Sequence, residues 1–200
     1  MKKILLASLL AFGFTTAAVA SEDGKGAYVG LGYGSTAFAN GDGKANVKED
    51  TDSGYKFYAG YQFNKIVAVE ASYTDYGKFT YSDTRTLSGT AIGVAANVGY
   101  NFLDGQLRPF GLLGLSSLSL DQGNLGTLGN IYDDDSTIGI TYGIGIEYSP
   151  KVLKGLGFRA MWNVDAYSVQ DQITIGGTTI TSDDHLEAFG MFSVAVQYKF

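Results

Sequence analysis

The chain of 200 residues has no cysteine, one histidine and only two prolines. Without cysteine there is no disulfide framework and no thiolate-bound metal site. The scarcity of proline weakens the disorder reading that 28 glycines, about twice the usual share, would otherwise invite. Long hydrophobic runs are missing too: beyond the first twenty residues nothing approaches the ~18 consecutive apolar residues of a spanning helix. Basic charge is the scarcer sign, with 14 Lys and Arg against 20 Asp and Glu. That balance argues against nucleic acid as a partner. What the chain has instead is 14 Tyr and 12 Phe, which beside the glycine points to a β-rich architecture.

The N-terminus reads as an export signal. Lys2 and Lys3 form a positive start, residues 4–14 a short apolar core, and Ala18-Val19-Ala20 a small-x-small cleavage site. Cleavage after Ala20 is expected, so residues 1–20 are a signal peptide and residues 21–200 one domain. The apolar core is well short of the ~20 residues of a membrane anchor. Removing two lysines takes the net charge from −6 to about −8. An exported chain without spanning helices can still cross a membrane as a closed barrel, because lipid tolerates no unpaired strand edge.

Eight segments alternate with the period of a strand. Residues 27–35 set Val29, Leu31 and Tyr33 against Gly30, Gly32 and Gly34. Residues 54–63 set Tyr55, Phe57, Ala59, Tyr61 and Phe63 against Lys56, Tyr58, Gly60 and Gln62. The same holds for residues 66–76 and 90–102, whose second faces hold Glu70 and Asn97. The sixth segment is the cleanest, with Ile138, Ile140, Tyr142, Ile144, Ile146 and Tyr148 against a face that includes Gly139, Gly143, Gly145 and Glu147. In the seventh, Leu156 to Val164 oppose Gly157, Arg159, Met161, Asn163 and Asp165. The last, residues 186–200, sets Phe192, Val194, Val196, Tyr198 and Phe200 against Ser193, Ala195, Gln197 and Lys199. Its upper half is irregular: Phe189 and Met191 would point inward, so a bulge near Gly190, or packing over the lumen mouth, is expected. The fifth segment, residues 107–118, does not resolve into one phase. Arg108 pointing inward is the preferred reading, but at a strand start the cost of facing lipid, ~0–1 kcal/mol, cannot decide it.

Connections alternate long and short: residues 40–53, 77–88, 121–136 and 168–185 are long, and those between them short. This rhythm belongs to an up-and-down barrel with short turns at one rim and long loops at the other, not to a Greek-key sandwich. The oily face is bulky and aromatic, while the other carries Gly, Ala, Ser and Thr with a few charges. An eight-stranded lumen is narrow and filled by side chains, so the small set faces inward and the bulky set faces lipid. The expected fold is an all-β, eight-stranded antiparallel up-and-down transmembrane β-barrel. Lys56, Glu70, Arg108, Glu147, Arg159 and Lys199, with Asp165, then share the lumen as a polar network of ion pairs, since unpaired buried charge is costly.

With these segments in view, the run Ala68-Val69-Glu70-Ala71-Ser72-Tyr73-Thr74-Asp75-Tyr76-Gly77, the strand 139–148 and the terminal Tyr198-Lys199-Phe200 resemble the outer-membrane β-barrel superfamily of OmpA, OmpX and opacity-type proteins. The likeness spans the whole mature chain and is more specific for fold and membrane than for activity. It implies a Gram-negative outer-membrane location with both termini in the periplasm, and a terminal Phe200 read as an assembly signal by the barrel-assembly machinery. Relatives often carry Glu two residues after the Arg of the seventh strand; Met161 stands there instead, so a second lumen pairing is not carried over.

No catalytic constellation is legible. His185 lies in Ser182-Asp183-Asp184-His185, consecutive loop residues that do not converge on one atom. Asp133-Asp134-Asp135 and Asp183-Asp184 have ligand types suited to Ca²⁺ or Mg²⁺ but no calcium-loop spacing. The chain is therefore expected to be no enzyme, to need no cofactor, and to act as a surface-interaction barrel through four long extracellular loops. Its expected partners are outer-membrane lipid and lipopolysaccharide, the assembly machinery, and a host or surface ligand. A narrow small-solute channel is the alternative, kept alive by the glycine-lined faces; a lipid-modifying enzyme is the remote third. Thr174 to Ile180, alternating on both sides of Gly176-Gly177, reads as a hairpin.

Overall fold

The computed structural model describes residues 24–40, 52–81, 85–123, 137–169, 172–175, 178–181 and 185–200. The expected signal peptide and the acidic runs Asp133-Asp134-Asp135 and Asp183-Asp184 lie outside the described residues. Alternating sequence becomes eight wall strands: β1 Gly26–Asn40, β2 Asp52–Gln62, β3 Val67–Tyr81, β4 Arg85–Gly99, β5 Leu107–Gly123, β6 Thr137–Tyr148, β7 Leu156–Val169 and β10 His185–Lys199. Between the last two, β8 Gln172–Ile175 and β9 Thr178–Thr181 pair as a separate two-stranded sheet flanking Gly176-Gly177. Every wall strand is antiparallel to both neighbours, in the order β1-β10-β7-β6-β5-β4-β3-β2, and β1 meets β10 to close the ring. Closure leaves the wall no edge strand, which is the condition for crossing lipid with strands.

An even number of strands brings both ends of the wall, the start of β1 and the end of β10, to the short-turn rim. There the Phe200 backbone N–H donates to the Ala27 carbonyl at 2.9 Å. In the turn between β2 and β3, the Asn64 side-chain oxygen accepts from the backbone N–H of Ile66 and Val67, each at 2.8 Å. The next turn holds a short 3-10 segment, Leu103–Gly105, in which Leu103 and Asp104 take the left-handed backbone region at φ 49° and 53°. Non-glycine residues adopt this region at a cost, and aspartate tolerates it better than leucine.

At the other rim the strands outrun the sequence expectation. Residues 77–88, read as a long loop, are mostly a continuation of β3 and β4, with Lys78 opposite Ser88 and Tyr81 opposite Arg85. A register shift between Asp75 and Lys78 accommodates Gly77, whose φ of 78° suits glycine. Of the two arrangements expected near Gly190, the bulge does not form: β10 stays in continuous register with β1 from Glu187 to Lys199 and with β7 from His185 to Tyr198. Phe189 and Met191 instead point inward and are fully buried.

The two faces are those of a barrel turned inside out relative to a soluble one. Leu31, Phe57, Val94, Leu113, Leu115, Ile144, Phe192 and Val194 stand outward and exposed. Edge-to-face aromatic pairs ring the short-turn end: Tyr61 with Phe63, Tyr100 with Phe102 and Tyr198 with Phe200, at centroid distances of 5.2, 5.0 and 5.1 Å. Higher up, Tyr33 faces Tyr55 across β1 and β2, and Trp162 faces Phe192 across β7 and β10. Such bands suit the membrane interfaces of an apolar wall.

Candidate functional site: a lumen filled in layers

The inward positions stack into layers, beginning at the short-turn rim with a polar vestibule of about 630 Å³. Gln62, Lys65, Asn101, Gln106, Gln197 and Lys199 are among its lining residues. The Lys199 ammonium donates to the Gln62 side-chain oxygen at 2.7 Å and to the Gly24 carbonyl.

The vestibule floor is a cluster of charges centred on Arg159. Its guanidinium donates to Glu70 at 2.7 Å and to Glu147 at 2.6 Å. Glu147 is also paired with Arg108 at 3.4 Å. The strand register sets this arrangement, because Glu147 lies directly opposite Arg108 on β5 and Arg159 on β7. Arg108 spends its other terminal nitrogen on the Ile66 carbonyl at 3.2 Å. Aromatic rings complete the cage: the Arg159 guanidinium carbon lies 4.1, 4.8 and 5.7 Å from the ring centres of Tyr58, Phe110 and Tyr28. Desolvation makes such cation–π contacts stronger than at a surface. The Tyr28 hydroxyl donates to Glu70 at 3.0 Å, and the Tyr58 hydroxyl to Gln197 at 3.3 Å.

Lys56, also buried, has no carboxylate within 4 Å among the described residues. The charges that act on it are Glu70, Asp165 and Arg159. Beside and above the cluster stand Asn97, Met161, Leu112 and Asn163, all buried. The Asn97 amide has no protein partner among the described residues. Asp165 anchors the next layer, accepting from the Tyr76 hydroxyl and from Ser116 at 2.9 Å, while Ser116 also meets the Tyr167 hydroxyl at 2.9 Å. Over it lies an apolar plug of Tyr76, Ala91, Leu118, Tyr167, Phe189 and Met191, with Phe38 against it.

The glycine-lined faces are where this filling is made possible. A Cβ at Gly30 would run into the Tyr58 ring, at Gly60 into the Tyr28 ring, at Gly139 into the Tyr167 ring and at Gly145 into the Phe110 ring. Glycine on one strand thus makes room for an aromatic from another, and the missing side chain does not open a bore.

The six lumen residues named from sequence therefore lie on the inner side, but not as one chain of pairs. Arg159, Glu70, Glu147 and Arg108 are joined, Lys199 serves the vestibule, and Lys56 stands apart. Phe200 is at the rim with its ring on the outer face. Sequence reasoning did not single out Tyr28, Tyr76 and Tyr167. Extending the phase of their strands by one or two repeats would have placed all three inward. Side chains of residues 169–185, which include His185, lie outside the described residues.

A closed antiparallel wall of eight strands, apolar outside and filled inside, defines the class: a small transmembrane β-barrel. The chain belongs to the family of outer membrane protein β-barrel domains, whose family model matches residues 5–200. Its fold is similar to that of neisserial surface protein A, at 19% identity and a TM-score of 0.58, over 87% of this chain and 97% of that one. It is also similar to OprG of Pseudomonas aeruginosa (12% identity, TM-score 0.56, 88% of this chain and 96% of that). The third is Ail, the attachment invasion locus protein of Yersinia pestis, solved with the heparin analogue sucrose octasulfate (15% identity, TM-score 0.55, 88% and 99%). No curated protein matches the chain.

Proposed function

We propose that this outer-membrane barrel conducts no solute and acts at the cell surface through the segments at its long-loop rim, with both termini in the periplasm. The observation that carries this reading is the pair of stacked seals inside the wall. A solute would have to pass the Arg159 cluster and then the Tyr76, Tyr167, Phe189 and Met191 plug. The four plug residues are all fully buried. At Gly30, Gly139 and Gly145, part of the best sequence argument for a channel, the open space is taken by the Tyr58, Tyr167 and Phe110 rings, while at Gly32, Gly34 and Gly143 the neighbouring strands themselves close in; this too favours the closed reading.

The long-loop rim has a charge that selects among partners. In sequence the third and fourth long connections carry Asp121, Asp133, Asp134, Asp135, Asp171, Asp183 and Asp184 with no Lys or Arg, and the first two carry Lys44, Lys48, Lys78 and Arg85 beside five acidic residues, so the four together are acidic by twelve to four. A sulfated polyanion of the kind bound to Ail would be repelled by this rim. The surface ligand is instead a cationic protein face, or lipopolysaccharide phosphate bridged by divalent cations. Among the described residues no nucleophile, base and oxyanion donor converge, and the barrel is read as a binding protein. Planar-bilayer recording of refolded protein tests the reading. It predicts silence at all holding potentials, and stable, reproducible single-channel openings would overturn it in favour of a narrow channel.

A further inference from the structure

The short-turn rim carries exposed apolar and basic side chains that lumen filling does not explain. The connection between β6 and β7 contains Pro150-Lys151-Val152-Leu153-Lys154. Val152 is 87% exposed and Leu153 43%, with exposed lysines on either side. Lys25, Lys151 and Lys154 line one recess of about 230 Å³ with Ser149, Leu156 and Phe200. Lys199 reaches the same recess, but its ammonium is committed to Gln62 and Gly24 on the lumen side. Of these three lysines only Lys151 has a carboxylate within 4 Å among the described residues, Asp104 at 3.1 Å. That pair is 60% and 86% exposed and holds the lysine weakly. The adjoining wall is aromatic, with Tyr148, Phe158, Tyr198 and Phe200 on its outer face. Cations beside exposed aliphatic and aromatic groups, at the edge of an apolar wall, match the level where phosphate headgroups meet acyl chains.

We propose that this rim is a binding site for the headgroup of an anionic glycerophospholipid in the leaflet it faces. Lys25, Lys151 and Lys154 neutralise the phosphate, and Val152 and Leu153 enter the acyl boundary beneath it. The connections at the opposite rim are acidic in sequence, with twelve Asp and Glu against four Lys and Arg. The site depends on the membrane setting of the family but not on the loop-centred role proposed above, so either can fail alone. Each lysine near an anionic surface contributes roughly fivefold to partitioning at moderate salt.

Native mass spectrometry tests it on refolded full-length mature protein taken from equimolar phosphatidylglycerol and phosphatidylcholine. The wild type is expected to retain phosphatidylglycerol preferentially. The triple variant K25Q/K151Q/K154Q should lose that preference by tenfold or more. The arginine triple should keep it, as should Lys78→Gln at the far rim. Equal retention of the two lipids by the wild type, an unaffected triple variant, or an equal loss in Lys78→Gln would each overturn the proposal. If Val152→Ser with Leu153→Ser changes nothing and inorganic phosphate displaces the lipid completely, the site is a plain anion contact and the lipid assignment is wrong. Should a variant not refold, the wild type decides alone. Its preference must vanish at 1 M salt, where the screening length is about 3 Å.

Discussion

Replacing Arg159 by methionine removes the one cation that both Glu70 and Glu147 bond inside the lumen. The side chain keeps nearly the same volume, so the loss is electrostatic and not a cavity. Tyr28 and Tyr58 lose their cation, Phe110 keeps only Arg108 at 5.9 Å, and two carboxylates lose bonds of 2.7 and 2.6 Å. Glu147 keeps Arg108 at 3.4 Å, and Glu70 keeps the Tyr28 hydroxyl at 3.0 Å. Breaking a buried pair costs about 3–5 kcal/mol, because the partner charge is left uncompensated. With remaining partners on both acids, the lower end, about 3 kcal/mol, is expected. At a urea slope of roughly 1–3 kcal/mol per molar, the unfolding midpoint in lipid vesicles should fall by roughly 1–3 M. The heat-shifted gel band of the folded barrel gives the same midpoint independently. Substituting Glu70→Gln in the Arg159→Met background should recover much of the loss, since it removes the carboxylate left without a cation while Glu147 stays paired with Arg108. An unchanged midpoint in Arg159→Met, or a double variant less stable than the single one, would refute the reasoning.

Four further outcomes follow from the same geometry. Phe189→Ala should destabilise by about 3–5 kcal/mol yet leave planar bilayers silent, because the Arg159 layer remains closed. Gly30→Ala should cost about 1–3 kcal/mol in the same urea assay, since its methyl group displaces the Tyr58 ring that stacks on Arg159. On the outer face, Leu115→Arg should cost about 2–4 kcal/mol and Ser119→Arg only about 0–1, a depth dependence that a water-facing wall would not produce. Phe200→Ser should lower the amount of barrel reaching the outer membrane in cells while leaving refolding into detergent unchanged. A parallel loss of refolding would make Phe200 a packing residue rather than an assembly signal.

The features legible from sequence were those confined to one strand. Alternation in residues 138–148 or 54–63 is visible without neighbours, and it sufficed for strand number, facing and the short-turn rim. Features that depend on register were not legible. The phase of residues 107–118 stayed open because the pairing of Arg108 with Glu147 depends on which residues face each other across β5 and β6. Phe189 and Met191 looked out of place because the residues that make them core, Tyr76, Leu118 and Tyr167, come from three other strands. Residues 77–88 read as a loop since their polar, mixed composition carries no lipid-facing stripe, though the backbone still pairs beyond Gly77. Lys56 was expected to join the ion pairs, but no carboxylate on the facing strands comes within 4 Å of it.

The absence of cysteine makes the filled lumen directly measurable, because any single introduced thiol reports without background. A charged, membrane-impermeant thiol reagent should label Gln106→Cys in the vestibule quickly on refolded protein in vesicles open to both sides. It should fail to label Asn97→Cys, buried beside the lower seal, and Met191→Cys, within the upper one, until the barrel is unfolded. Rapid labelling of Asn97→Cys and Met191→Cys in the folded barrel would mean a continuous aqueous path, and the closed-barrel account would be wrong.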